Sequence, residues 1–283
     1  MKKRVISGAA VVGILLLLLV LSNYIVYSIG LAAFAIIAVF EMLRVMGVHK
    51  KPALAIPAYL LTAAFPILAF FVEDERRLHF LLIMAACFFI YMLWLMGVSV
   101  FSKGRVPFSK IGEVFTAITY VSVSFTSLTL VRYISNYGYL FVFLAFLIPW
   151  ICDVFAFLIG SKLGKHKLIP EVSPKKSVEG AVAGIVFTVF FCLLFGLAVD
   201  LIFKEIAVSY LTLALYGAVL SVVSQLGDLV ASVIKRQYGA KDYGKIFPGH
   251  GGVMDRFDSV LGISTILLIL CLVIPPFTVV PVV

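Results

Sequence analysis

Between two apolar runs, the stretch from Ser232 to Asp258 reads SVIKRQYGAKDYGKIFPGHGGVMDRFD. Lys235, Arg236, Lys241, Lys245 and Arg256 supply the positive charge a polyphosphate needs, and Gly239, Gly244, Gly249, Gly251 and Gly252 let backbone amides approach it closely. Asp255 and Asp258 are three residues apart at the expected start of a helix, so both can face one point. Carboxylates beside polyphosphate-binding cations suit Mg²⁺, a hard ion that takes a few carboxylates plus substrate oxygens. His250 can serve as an acid, a base or a phosphate donor, or can simply make a loop hydrogen bond.

Upstream, Asp228 sits inside an apolar span, about two helical turns, or ~10 Å of rise, from Lys235. A carboxylate at that depth is expensive unless it faces a polar cavity or a cation. Ser221, Ser224, Gln225, Asp228, Ser232 and Lys235 recur at helical spacing and share one face, which predicts a polar stripe lining an inward-opening cavity. The alternative is that Ser and Gln join helices while Asp228 pairs with a lysine. Asp153 repeats the pattern in an earlier span, beside Ala156, Gly160 and Gly164 at four-residue spacing, a small-residue stripe that lets another helix come close. In the following loop, Ser173 or Ser177 can cap the next helix, and Lys175 and Lys176 stand where a phosphate can be held near its first amides.

The elements that must position these residues are membrane helices. Hydrophobic residues make up 63% of the chain and charged ones 13%, far from the roughly 25% charged of a soluble domain. With about 20 apolar residues needed per crossing, the sequence predicts an all-α polytopic membrane protein of about nine transmembrane helices. They lie near 5–22, 24–43, 53–72, 79–100, 112–131, 138–160, 180–203, 207–234 and 259–280. The first follows Lys2, Lys3 and Arg4 as a signal peptide would, but no small-residue cleavage site follows it, so it is read as a helix. With the N-terminus cytoplasmic and the C-terminus outside, nineteen of the 23 Lys and Arg fall on the inner side.

The net charge of +9 sits in the inner loops, where it obeys the topology rule or holds anionic headgroups, and no extramembrane basic domain large enough for nucleic acid is present. Cys87, Cys152, Cys192 and Cys271 all fall in apolar spans and read as small buried residues. Glu41 and Arg44, one turn apart, read as a snorkelling pair at the membrane interface. The segment from Phe101 to Glu113 reads as a plain loop or as an amphipathic surface segment. Polar residues concentrate after Trp150, so residues 1–135 are expected to form a scaffold, a lipid-facing wall or a dimer surface. Residues 136–283, with cytoplasmic loops 161–179 and 235–257, are expected to form the catalytic region.

The run Ser232-x-Ile234-Lys235-Arg236-x4-Lys241-Asp242-x-Gly244-x2-Phe247-Pro248-x-His250-Gly251-Gly252-Val253-x-Asp255-Arg256-Phe257-Asp258 resembles the signature of the phosphatidate cytidylyltransferases. Asp153-x-x-Ala156-x-x-x-Gly160 and Ser173-Pro174-Lys175-Lys176-x-x-Glu179-Gly180 are also similar to that family, with Ser177-Val178 where Thr-Trp is often found. The resemblance covers residues 150–260. It implies transfer of a cytidylyl group from CTP to phosphatidic acid at the inner face of a membrane, the bacterial inner membrane, for phospholipid synthesis. On this reading Asp228 and Asp255 ligate Mg²⁺, with Asp258 and Asp153 as a second cation site, one that can take a monovalent ion, or as partners of the ligands. Asp228, Asp255, Asp258 and Lys235 are the expected catalytic residues. Ser232, Arg236, Lys241, Asp242, His250, Gly251, Gly252, Arg256, Lys175 and Lys176 are the expected contacts to substrate.

Three rivals stay open. A sister enzyme activating another lipid or polyprenol phosphate shares the chemistry and differs in the acceptor pocket. A transporter explains the spans and buried carboxylates, but does not need Gly-rich and basic residues at one edge. A CDP-alcohol phosphotransferase would carry an early Asp-rich helix motif, which is absent. A homodimer is compatible with the helices to spare in the first half.

Overall fold

The structure, a computed structural model, describes residues 13, 17, 20, 21, 24–247, 249 and 251–279. The expected span at 5–22 lies almost wholly outside them. Eight helices among the described residues are long and apolar enough to cross a membrane, as in an integral membrane protein. They are α1 (Val26–Val45), α2 (Pro52–Leu68), α3 (Arg77–Phe101), α4 (Phe108–Arg132), α5 (Gly138–Leu163), α6 (Val178–Ile202), α7 (Tyr210–Gln237) and α8 (Met254–Val273). The architecture is not purely helical: two antiparallel pairs of short strands, β1 (Lys167–Ile169) with β2 (Ser173–Ser177) and β3 (Ile206–Val208) with β4 (Phe277–Val279), occupy stretches expected to be loop or helix. Pro275 and Pro276 follow the end of α8, where a missing N–H and a fixed φ stop a helix. The β-prone residues after them pair as a strand, in register Ala207↔Thr278, and do not extend the span to 280.

The chain forms two compact units. The first comprises Met1–Tyr133 and Gln237–Phe257. Its core is an aliphatic face of α1, including Leu31, Ala35, Ala38 and Val39, with Ile118, Val121 and Phe125 of α4. The Phe257 ring lies 5.3 Å from both Phe34 and Phe125, fastening the end of the Gly-rich loop to this core. That loop therefore packs with residues of the first 133, far from it in sequence.

The second unit comprises Ile134–Arg236 and Asp258–Val283. The small-residue stripe of α5 does bring α6 close. A Cβ on Gly180 would stand 2.5 Å from Ala156 O and 3.0 Å from Gly160 Cα, and one on Gly184 would stand 2.9 Å from Cys152 O. A second close crossing joins α7 and α8, where a Cβ on Gly227 would meet Asp258 O at 3.0 Å and Gly262 Cα at 3.2 Å. These two crossings bring acidic residues of α5, α7 and α8 within electrostatic range of one another.

Candidate active site

In the second unit, the turn that follows α5 is ordered by its own polar groups. Ser177 caps α6, its Oγ accepting from Gly180 N at 3.2 Å. Glu179 accepts from the His166 amide and lies 2.6 Å from His166 Nδ1, so the β1–β2 hairpin is held against the start of α6. The hairpin aims Lys176 at Asp228 of α7, and the two form an ion pair through Asp228 Oδ2. The Lys176 ammonium is buried and has no hydrogen-bond partner among the described residues beyond the Asp228 ion pair, which leaves its other N–H donors open to a ligand. It borders a cavity of about 230 Å³ lined also by Asp153, Ser173, Lys175, Ser177 and Gln225.

Asp258 of α8 is only 9% exposed and accepts from Ser259 N at 2.8 Å. The charges of Asp228, Lys235 and Asp153 all act on it. Ser232 is half-buried on the same helix as Asp228, and Arg236 is exposed one turn below it. The upper part of the α7 stripe differs from the expected cavity lining. Ser221 and Ser224 are fully buried, Ser221 Oγ donates to Ala218 O at 3.0 Å, and Gln225 Nε2 donates to Ala181 O at 3.2 Å and lies 3.4 Å from Cys152 Sγ. Ser221 and Ser224 thus belong to helix packing; the site begins at Gln225, which both joins helices and lines the cavity.

Among the described residues no group of three or more His, Cys, Asp or Glu stands close enough to hold a metal ion. A magnesium ion that keeps waters and phosphate oxygens needs only one or two carboxylates. A buried Asp258 within electrostatic range of Asp228 fits that need, whereas a site built wholly from protein ligands does not fit.

In the first unit, the loop from Gln237 to Phe257 is wound around Asp255. Its Oδ2 accepts three backbone N–H groups, from Tyr243 at 2.8 Å, Gly252 at 2.9 Å and Gly244 at 3.3 Å. Gly251 has φ +83°, and a Cβ there would lie 2.6 Å from Asp255 Oδ2, so only glycine fits. Phe247 N donates to Gly251 O at 2.9 Å and closes the tip. Lys241, Asp242 and Arg256 are exposed, Gly252 is buried, and His250 lies outside the described residues.

Sequence reasoning missed the loop's other supports. Glu41 and Arg44 do not form an ion pair with each other but turn to this loop. Glu41 is 1% exposed and its Oε2 accepts from Met254 N at 2.9 Å, while Arg44 Nη2 donates to Tyr243 O at 2.5 Å. Lys110 and Glu113, from the expected surface segment, lie in α4; Lys110 Nζ is 3.0 Å from the Tyr238 hydroxyl, which also donates to Glu113. Burial and the Glu113 hydrogen bond both push the Tyr238 phenol up from its ordinary pKa, so it stays a donor at neutral pH.

The sequence profile of the cytidylyltransferase family matches residues 2–274, and the chain belongs to that family. It is 34% identical over 264 residues to the phosphatidate cytidylyltransferase of Bacillus subtilis, an alignment covering 92% of this chain and 94% of the relative. It is 39% identical over 176 residues to the phosphatidate cytidylyltransferase of Staphylococcus saprophyticus, covering 62% of this chain and 65% of that protein. The enzyme of the same name from Staphylococcus haemolyticus is 38% identical over 176 residues, with the same coverage.

Proposed function

We propose that this protein transfers the cytidylyl group of CTP to phosphatidate, giving CDP-diacylglycerol and pyrophosphate, from the cytoplasmic face of a bacterial inner membrane. The carrying observation is the buried Lys176 ammonium, with open donors, paired to Asp228 at the edge of a cavity that Lys175 and Ser173 also line. A cation so placed gains hydrogen bonds when a phosphate oxygen enters, and no apolar cargo offers the same. A phosphatidate oxygen attacks the α-phosphorus, the bond to the bridging α–β oxygen breaks, and pyrophosphate departs with that oxygen. The nucleophile is already anionic at neutral pH, so no separate base is required. Catalysis is then a matter of alignment and charge neutralisation.

Within this scheme Lys176 and Lys175 bind phosphate, and Lys235 and Arg236 offset the charge that develops on the leaving group. Asp228 and Asp258 would hold Mg²⁺ together with phosphate oxygens, with Asp153 as partner to them or to a second, monovalent cation; the metal would supply charge neutralisation at the transferring phosphoryl group. Lys241, Arg256 and the amides at Gly251 and Gly252 are proposed contacts to phosphate from the loop, with Ser232, Asp242 and His250 in support. A metal-ligating role for Asp255 would run through Oδ1, since Oδ2 serves three amides. The cytoplasmic placement, with an additional span before α1 and the C-terminus outside, is supported by nineteen of 23 basic residues falling on one side.

The test is incorporation of radiolabelled CTP into lipid by the detergent-purified protein, with phosphatidate and polyprenyl phosphate offered separately. Labelled CDP-diacylglycerol that disappears on chelation and returns with magnesium is the expected result, and Lys176→Met should raise KM for CTP about tenfold or lower kcat by as much. Label passing only to polyprenyl phosphate would establish the sister activity instead. Solute flux in liposomes without CTP turnover would make the protein a transporter.

A further inference from the structure

We infer that Glu41 and Arg44 are positioning residues for cytidylyl transfer, holding the two ends of the Gly-rich loop from a helix nearly 200 residues away in sequence. Arg44 Nη2 takes the carbonyl of Tyr243, where the loop enters the Asp255 amide cluster, and Glu41 Oε2 takes the N–H of Met254, where it leaves. The two side chains are one turn apart on α1, so a single rigid element sets the separation of the loop's ends.

The fit is two-sided. A Cβ on Gly244 would stand 1.8 Å from Glu41 Oε1, and one on Gly252 would stand 2.1 Å from it, so these two glycines make room for this carboxylate. A carboxylate buried to this degree is costly unless its interactions are specific. Glu41 stabilises the first N–H of α8, which has no partner within its own helix, and its acceptor oxygen lies at the positive end of the helix dipole. Tyr243 contributes twice, its carbonyl to Arg44 and its N–H to Asp255, which links the clamp to the loop's internal order. What the clamp fixes is the direction of Lys241 and Arg256, exposed on the same loop. Neither Glu41 nor Arg44 is assigned any contact with substrate.

The inference rests on the proposal that this loop binds substrate phosphates, and the experiment separates the two. Steady-state kinetics with CTP and phosphatidate in detergent would be measured for Glu41→Asp, Glu41→Gln, Arg44→Ala, Arg44→Lys and Asp255→Ala, with melting temperatures alongside. Glu41→Asp withdraws the oxygen from Met254 and should lower kcat about tenfold, with KM for phosphatidate within about twofold, because misplacing phosphate-aligning groups by ~1 Å is felt in turnover. Glu41→Gln keeps the acceptor and should stay within about threefold of the parent. Arg44→Ala, at an exposed side chain, should cost about fivefold in kcat without a change in melting temperature, and Arg44→Lys should recover about half of that.

Should Glu41→Asp fail to fold, the Arg44 pair decides alone. Near-parental kcat in the folded Glu41 and Arg44 variants, with Asp255→Ala inactive, would overturn the clamp and leave the loop's role standing. Lower melting temperatures with unchanged specific activity of the folded protein would also overturn it, leaving a merely structural contact. Activity in Asp255→Ala as well would remove the loop's role, and the clamp with it.

Discussion

The acidic residues of the two units are used in opposite ways. In the first unit one oxygen of Asp255 and one of Glu41 are taken up by backbone: Asp255 Oδ2 accepts three amide N–H groups and Glu41 Oε2 one, and the exposed residues on the loop they order include the cations Lys241 and Arg256. In the second unit the charges of Asp228, Asp153 and Lys235 act on Asp258, and Asp228 pairs with Lys176. A carboxylate satisfied by amides is an organiser, with little left to give a ligand. Carboxylates gathered with a buried, incompletely bonded ammonium are held in a state that a cation and a phosphate would relieve. The lesson is that acidic residues three apart in one motif, Asp255 and Asp258, differ in surroundings: one is bonded to backbone amides, and the other lies within range of other charges.

The comparison can be broken most severely at Asp258. Asp258→Asn should lower kcat about 10³-fold, the scale of losing a principal electrostatic group, while the protein still folds, because the substitution removes a charge buried beside other carboxylates. Kinetics and thermal melting of the same preparation check both halves, and an inactive but unfolded protein would count against the assignment. A smaller effect is expected from Gly252→Ala, which drives a methyl group into Glu41. Overpacking of this kind costs about 1–3 kcal/mol, and thermal melting together with a fall in kcat should report it. The smallest belongs to Tyr238→Phe, which removes a hydrogen bond to Glu113 and should cost about 0.5–1.5 kcal/mol of stability with little change in turnover. A large loss of turnover there would move Tyr238 from support into the chemistry.

Much of this was legible in the sequence, for identifiable reasons. Apolar runs of crossing length gave the helices, because lipid forces the backbone to satisfy itself within each span. A serine cap, at Ser173 or Ser177, and the Ala156–Gly160 stripe follow from local spacing, and the structure places the cap at Ser177 and realises the stripe. Asp228 was singled out by the cost of its depth, and its structural alternative, pairing with a lysine, is also what the structure shows. The strands were not legible, since Ile206–Val208 and Phe277–Val279 are as apolar as the helices beside them, and only pairing across 71 residues tells them apart. Glu41 escaped for a related reason. At one turn from Arg44 it offers a complete local explanation, and its partner Met254 lies 213 residues away. Nothing in a spacing pattern reports a contact of that range.

The central claim is that Asp228 acts while Asp255 organises, and it is tested most directly by measuring CTP incorporation and melting temperature together for Asp228→Asn and Asp255→Asn. Asp228→Asn should abolish incorporation with the melting temperature held, because relief of repulsion from Asp258 offsets the loss of the Lys176 pair. Asp255→Asn should lower the melting temperature by several degrees, about 2–4 °C for each kcal/mol lost from the charge-assisted amide bonds. Near-normal incorporation by Asp228→Asn, or an Asp255→Asn protein that melts like the parent, would contradict the account.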